Sequence, residues 1–190
     1  MHLIAVGACF TITWRPLYNM VMLIQSRQLH DSPIVSMRTG YVVTRLQQPI
    51  IDPDKLEVCG FHTHQDNAVL LFNDVREITP KQAVIDDADV LSSPDDLHRL
   101  QEVLALDYQL PRKRTLTQSK QNLGTIEDYV IDTLSGKIQK LHVKQPLWRN
   151  FSGGTLIIDR GQILEVSDKF VLVSDAVIRA QHALNPQPPA

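Results

Sequence analysis

The segment Cys59-Gly60-Phe61-His62-Thr63-His64 brings a thiol and two imidazoles together, donor types that hold zinc. On a strand, successive side chains alternate between faces. Cys59, Phe61 and Thr63 then share one face, and Gly60, His62 and His64 share the other. The sulfur points away from both imidazoles. That arrangement argues against a Cys-His nucleophile pair and against a three-donor site. Phe61 aligns with Leu141 in the repeat described below, so the Cys59 face is expected to be core. His62 and His64, helped by Asp66, are the alternative: an exposed two-imidazole metal site. Asp86-Asp87-Ala88-Asp89 lacks the spacing of a calcium loop and reads as a solvated cap before a short helix. Ser152-Gly153-Gly154 reads as a turn, and neither a Gly-x-Ser-x-Gly elbow nor a phosphate-binding glycine loop is present. The chain is therefore expected to be no enzyme, with no cofactor and no small-molecule substrate.

Two other groups bear on binding. Arg112-Lys113-Arg114 is a basic run that reads either as a solvated linker or as a contact for an anionic membrane face or an RNA backbone. Three such charges supply about 3 kcal/mol at an acidic membrane, marginal on their own. Trp148, Arg149 and Phe151 fall in an irregular loop, and Trp and Arg are enriched at interface hot spots. They either cover an open end of the fold or anchor a partner protein.

These groups need elements to position them. The chain has 190 residues, 43% hydrophobic and 21% charged, with a net charge of -2. This is a globular composition, and the charge lacks the basic footprint of a nucleic-acid binder. Cys9 and Cys59 alone build no disulfide framework, which favours a reducing, cytoplasmic setting. The longest apolar stretch, residues 3–10, is about half of the ~20 residues a membrane helix needs. Val6-Gly7-Ala8-Cys9 faintly matches a lipoprotein cleavage box, but no Lys or Arg precedes it. Residues 1–22 read as an N-terminal extension.

The rest repeats itself. At an offset of 80, Val43, Leu46, Ile51 and Asp52 match Leu123, Ile126, Ile131 and Asp132, and Val58 and Phe61 match Ile138 and Leu141. Later the offset is 88: Val75, Ile78, Ala83 and Val84 match Ile163, Val166, Val171 and Leu172. Eight extra residues therefore fall in the second copy, within 144–154. Each copy reads as short strands: 41–47, 56–64, 69–72, 75–78 and 83–85, then 125–132, 138–143, 155–158, 162–166 and 170–173. Asp159-Arg160-Gly161 reads as a hairpin turn, and 175–179 as a single helical turn. Short strands at regular spacing predict a small barrel or sandwich, which closes its sheet edges. Between the copies, Ser93 at a cap, Pro94 at the first helical position and a Leu97, Leu100, Leu104, Tyr108 stripe predict one helix. Ser93 and Asp96 stand at capping-box spacing. The fold class is thus mainly β: two tandem small β-barrels joined by one α-helix. The expected units are 23–92 and 115–180, with a helical linker over 93–114 and a Pro-rich tail over 181–190.

Asn122-Leu123-Gly124-Thr125-Ile126-Glu127-Asp128-Tyr129-Val130-Ile131-Asp132, followed by Ser135-Gly136-Lys137-Ile138 and Leu141, resembles the pattern of the PRC-barrel family. That family includes the cytoplasmic barrel of a photosynthetic reaction-centre protein and the barrel of a ribosome-maturation factor. The first copy matches through Gly40, Val43 to Asp52, Val58, Gly60 and Phe61. It has Thr44 in place of the second glycine, while the second copy has Lys120 in place of the first. The stretch 125–144 looks most like tandem proteins of oxygenic photosynthetic bacteria. The resemblance supplies no catalytic residues. It implies a protein-binding adaptor in the assembly or regulation of a photosynthetic membrane complex, peripheral to a thylakoid or plasma membrane. The alternative it implies is an RNA-processing or ribosome-maturation accessory factor, against which net charge -2 and the second barrel both speak.

Overall fold

The computed structural model describes residues 22–65, 67–146 and 154–177. Residues 1–21 of the expected N-terminal extension, with the apolar run at 3–10, and the tail at 181–190 lie outside the described residues, while the Met22 carbonyl accepts from the Thr133 N–H. The chain is mainly β and forms two sheets of matching design. The first holds β2 (Pro33–Ser36), β3 (Val42–Asp52), β4 (Glu57–Thr63), β5 (Val69–Leu71), β6 (Val75–Ile78) and β7 (Ala83–Ile85). The second holds β8 (Arg114–Thr117), β9 (Asn122–Asp132), β10 (Ile138–Lys144), β11 (Thr155–Asp159), β12 (Ile163–Val166) and β13 (Phe170–Val173). Their orders are β5-β4-β3-β2-β7-β6 and β11-β10-β9-β8-β13-β12. In both, one parallel pair, β2 with β7 or β8 with β13, sits among antiparallel ones.

The copies agree down to their irregularities. Ile50 faces Gly60 and Ile51 faces Val58, so β4 carries one extra residue, Cys59. Val130 faces Lys140 and Ile131 faces Ile138, so β10 carries Gln139 at the same place. Leu46 to Pro49 bulges in β3 against β4, as Ile126 to Asp128 bulges in β9 against β10. Bulges bend a strand and add twist, so copying them copies the curvature. Lys120 (φ 61) takes the left-handed backbone that Gly40 (φ 73) takes in the first copy, so that turn survives the loss of glycine.

Each sheet must curl. Laid flat, six strands span about 24 Å. The edge strands β5 and β6 are joined by one 3-10 turn, Phe72–Asp74, and a chain crossing it reaches at most about 14 Å. Arg160–Gln162 does the same between β11 and β12. No ladder joins β5 to β6 or β11 to β12 among the described residues, so the expected closure of each sheet into a barrel is not seen. The reason is local. The 3-10 turn bonds Val75 N–H to the Phe72 carbonyl and redirects the chain at the corner, so the edge strands do not run side by side as a ladder. For the same reason Asp159-Arg160-Gly161 is not a hairpin: β12 pairs with β13 instead.

The expected connecting helix is also broken. Ser93 makes no side-chain cap bond, a 3-10 turn covers Pro94–Asp96, and Leu97 leaves helical geometry at ψ 57. Only α2 (Gln101–Leu106) is α-helical, ended by Asp107 at φ 41. Both ends are tied: Ser92 bridges to Val69, and the Arg112 N–H donates to the Ile126 carbonyl. With Asp95, Asp96 and His98 as weak helix formers, the segment follows these ties. Leu97, Leu100 and Leu104 end half-buried, and only Tyr108 is buried.

The halves are one body of packed side chains, and a single apolar core runs through both. They meet about a pseudo-two-fold axis. The Val58 N–H donates to the Gly136 carbonyl at 2.8 Å, and the Ile138 N–H donates to the Leu56 carbonyl at 3.1 Å. Each bond is the other's image under the 80-residue offset. Glu57 bridges to Lys137 between them. Leu56 (φ 49) and Gly136 (φ 71) hold the same left-handed turn. The short strand β1 (Leu23–Gln25) breaks the symmetry: it pairs with β9 of the other half, and α1 (Ser26–Leu29) follows it.

Each hairpin tip is held by an aspartate. Asp52 Oδ1 accepts from the Asp54 and Lys55 N–H groups, and Asp132 Oδ1 accepts from Leu134 N–H while Oδ2 accepts from Ser135 Oγ. Burial pushes both carboxyl groups up. Lys55 and the donors around Asp52, and the Leu134 and Ser135 donors around Asp132, outweigh it, so both pKa values lie below the usual range. A depressed folded-state value contributes stability that is complete above the unfolded-chain value of about 3.9. It is lost as pH falls through the lower folded value. We therefore expect Asp52→Asn/Asp132→Asn to be less stable at pH 7 and to show a flatter loss of stability on acidification below about pH 5. Urea titrations across that window check this, and an unchanged acid slope refutes it.

Candidate functional site

The bulge at Cys59 overturns the expected side-chain phase. Val58, Phe61 and Thr63 are buried, while Cys59 turns out of the core to join Asp52 and Glu57. The three donor atoms lie within 4.8 Å of one another. Lys55 Nζ already stands 3.0 Å from Asp52 Oδ2 and 3.8 Å from Glu57 Oε1. Burial first, then the two carboxylates, push the Cys59 thiol up, so it stays protonated rather than becoming a thiolate.

His62 is half-buried in β4, in register with Val69. His64 uses both ring nitrogens: Gln47 Nε2 is 3.2 Å from Nδ1, and Nε2 is 3.4 Å from Asp31 Oδ1. Among the described residues no cluster of three metal-ligating side chains includes His62 or His64. Asp66 lies outside the described residues, as do Trp148, Arg149 and Phe151.

The basic run is not a free linker. Arg112 holds a left-handed turn at φ 72, and Arg114 opens β8. Lys113 Nζ lies 4.2 Å from the centre of the Tyr108 ring and donates to the Asp168 carbonyl at 2.5 Å. Only Arg112 and Arg114 keep exposed charge. The acidic run at 86–89 is likewise engaged: Asp86 pairs with Arg76 and Asp87 with Arg38, just before a 3-10 turn at Ala88–Val90.

Two features that did not stand out in the sequence do stand out in the fold. The first is the turn between β2 and β3, where Met37, Tyr41 and Val42 are 64%, 77% and 56% exposed. The equivalent residues of the second half are Gln118, Gln121 and Asn122: the Met37 N–H donates to the Ile85 carbonyl as the Gln118 N–H donates to the Val173 carbonyl, so β2 and β8 correspond at an offset of 81. The offset of 80 carries this contrast at Tyr41 and Val42 but sets Thr117 against Met37, because the turn of the second half is one residue shorter.

The second is a cleft of about 430 Å³ in the seam between the halves. The bulged parts of β3 and β9 form matching walls: Gln47 with Glu127, Gln48 with Asp128, Pro49 with Tyr129, and Ile51 with Ile131. Residues 26–30 and 108–111 close its sides. Asp128 is the anomaly there, with a side chain only 4% exposed. Its Oδ1 accepts from Ser26 Oγ at 2.5 Å and from Tyr129 N–H at 2.8 Å. Its Oδ2 has no hydrogen-bond donor. Arg27 Nε is 3.2 Å from Oδ2, but its hydrogen goes to Gln25 Oε1 at 2.9 Å. The charge is compensated and the lone pairs are not. Burial pushes the neighbouring Tyr129 phenol well up, so it stays neutral.

No family model matches the chain, and no curated protein matches it. Among the described residues no helix is long and apolar enough to cross a membrane.

Proposed function

We propose that the chain is a non-enzymatic, protein-binding adaptor, each half being an open, curled variant of the small PRC-type barrel. The observation that carries the binding reading is the apolar β2–β3 turn. A turn of this fold tolerates polar residues, since the second half has Gln118, Gln121 and Asn122 there. Met37, Tyr41 and Val42 are therefore not required by folding, and they expose apolar surface that a partner would cover. Tyr is a frequent hot-spot residue and Met adapts to varied partners. Burying the three side chains would contribute about 5 kcal/mol before association costs. The resemblance points to a component of a photosynthetic membrane complex as the partner, met on the cytoplasmic face.

The second half supplies the control substitution. Met37→Gln/Tyr41→Gln/Val42→Asn installs its residues in the first half. We expect unchanged thermal stability and loss of the partner recovered by the wild-type chain from native membranes. Recovery of the same partner at equal yield by the variant would refute the assignment. A partner found in ribosome fractions instead would favour the maturation-factor reading.

A further inference from the structure

We propose that the seam cleft is a binding site for a small primary ammonium ion with an aromatic or apolar body. This goes beyond the adaptor reading and does not depend on it. Size and lining fit: about 430 Å³ lies within the range of small-molecule sites. Phe61, Tyr108, Tyr129 and Ile131 supply apolar and aromatic wall.

The head group is chosen by Asp128. A buried carboxylate oxygen without a donor is costly, and a charged donor is its best partner. The acidic and basic side chains lining the cleft are Arg27, His30, Glu127 and Asp128, beside the phenols of Tyr108 and Tyr129. Two acidic side chains there face one guanidinium, so the cleft favours a cation. Arg27 lies largely in solvent, with a side chain 66% exposed, and although its Nε stands 3.2 Å from Asp128 Oδ2, the Nε hydrogen is given to Gln25. An incoming ammonium takes the place of Arg27 beside Oδ2 and supplies the hydrogen that Arg27 does not. Arg27 thus acts as a displaceable cap that competes with the ligand.

Calorimetric titration of the full chain with tryptamine, and with its neutral isostere tryptophol, tests this. We expect saturable, single-site binding of tryptamine, with tryptophol at least about tenfold weaker, the step worth about 1.4 kcal/mol. Asp128→Asn should weaken tryptamine by about the same factor. Arg27→Ala should tighten it several-fold, because the competitor is gone; a merely structural role for Arg27 would not do this. If Asp128→Asn does not fold, Arg27→Ala together with Glu127→Gln, expected to weaken binding, still decides the matter. A capped peptide with a central lysine distinguishes the source: binding with the same Arg27 dependence assigns the cation to a partner's side chain, and binding of tryptamine alone assigns it to a free amine. No saturable binding of either probe, equal binding of tryptamine and tryptophol, or weaker binding to Arg27→Ala overturns the proposal.

Discussion

Phe61→Ala should destabilise the protein by about 3–5 kcal/mol, the range for removing a large aromatic side chain from a core. Phe61 is 1% exposed and lies 6.4 Å from Phe72, ring centre to ring centre, in a tilted pair. Its loss removes apolar contact and leaves a void where β4, the corner turn and the seam cleft converge. Phe61→Leu installs the residue of the second half, Leu141, and should cost only about 1 kcal/mol. Because one apolar cluster spans both halves, the loss should appear in a single cooperative unfolding transition. Urea denaturation reads both quantities. A loss below about 1 kcal/mol for Phe61→Ala would refute its role in the core, and two separated transitions with only one affected would show that the halves fold as independent units.

Arg160→Ala should cost about 3 kcal/mol, since hydrogen bonds to a charged group are worth about 1.5–3 kcal/mol each and this side chain is half-exposed. Its guanidinium donates through Nη1 to the Leu56 carbonyl at 2.7 Å and the Ile138 carbonyl at 3.1 Å, and through Nη2 to the Lys55 carbonyl at 2.6 Å. It thereby fastens the hairpin tip of the first half to the second sheet. Arg160→Lys should recover little, because one ammonium cannot reproduce a planar fork across three carbonyls. Equal stability of Arg160→Lys and wild type in the same denaturation experiment would reduce Arg160 to a simple point charge.

Much of the fold was legible. The bounds of β6, β7 and β13 are those the apolar pattern gives, and the offsets of 80 and 88 reappear in strand order, parallel pairs and bulges. What escaped has identifiable causes. β2 opens on Pro33 and β8 on Arg114, and neither has apolar alternation strong enough to mark a strand. β1 is three residues long and pairs with residues more than a hundred positions away. Cys59 was misplaced because a bulge inverts side-chain phase and carries no single-residue signature. The helix was over-extended because a good stripe and a good N-terminal sequence say nothing about how tightly the chain is tied at either end. The candidate sites were less legible. The seam cleft is built from residues 80 apart that meet only because the halves dock on each other. Asp128 reads as one acidic residue among many until its burial and missing donor are seen.

The pairing of the two hairpin tips bears on how freely each copy can vary. In a dimer of identical chains every substitution is made twice, so an arginine placed at such an axis faces another arginine's neighbourhood and must suit both. Joining the copies in one polypeptide removes that constraint. Phe72 stands over Gly136 on one side, while Arg160 at the corresponding corner grips the Leu56 turn on the other. Within one polypeptide the two corresponding contacts differ, and each copy can vary without its twin having to follow.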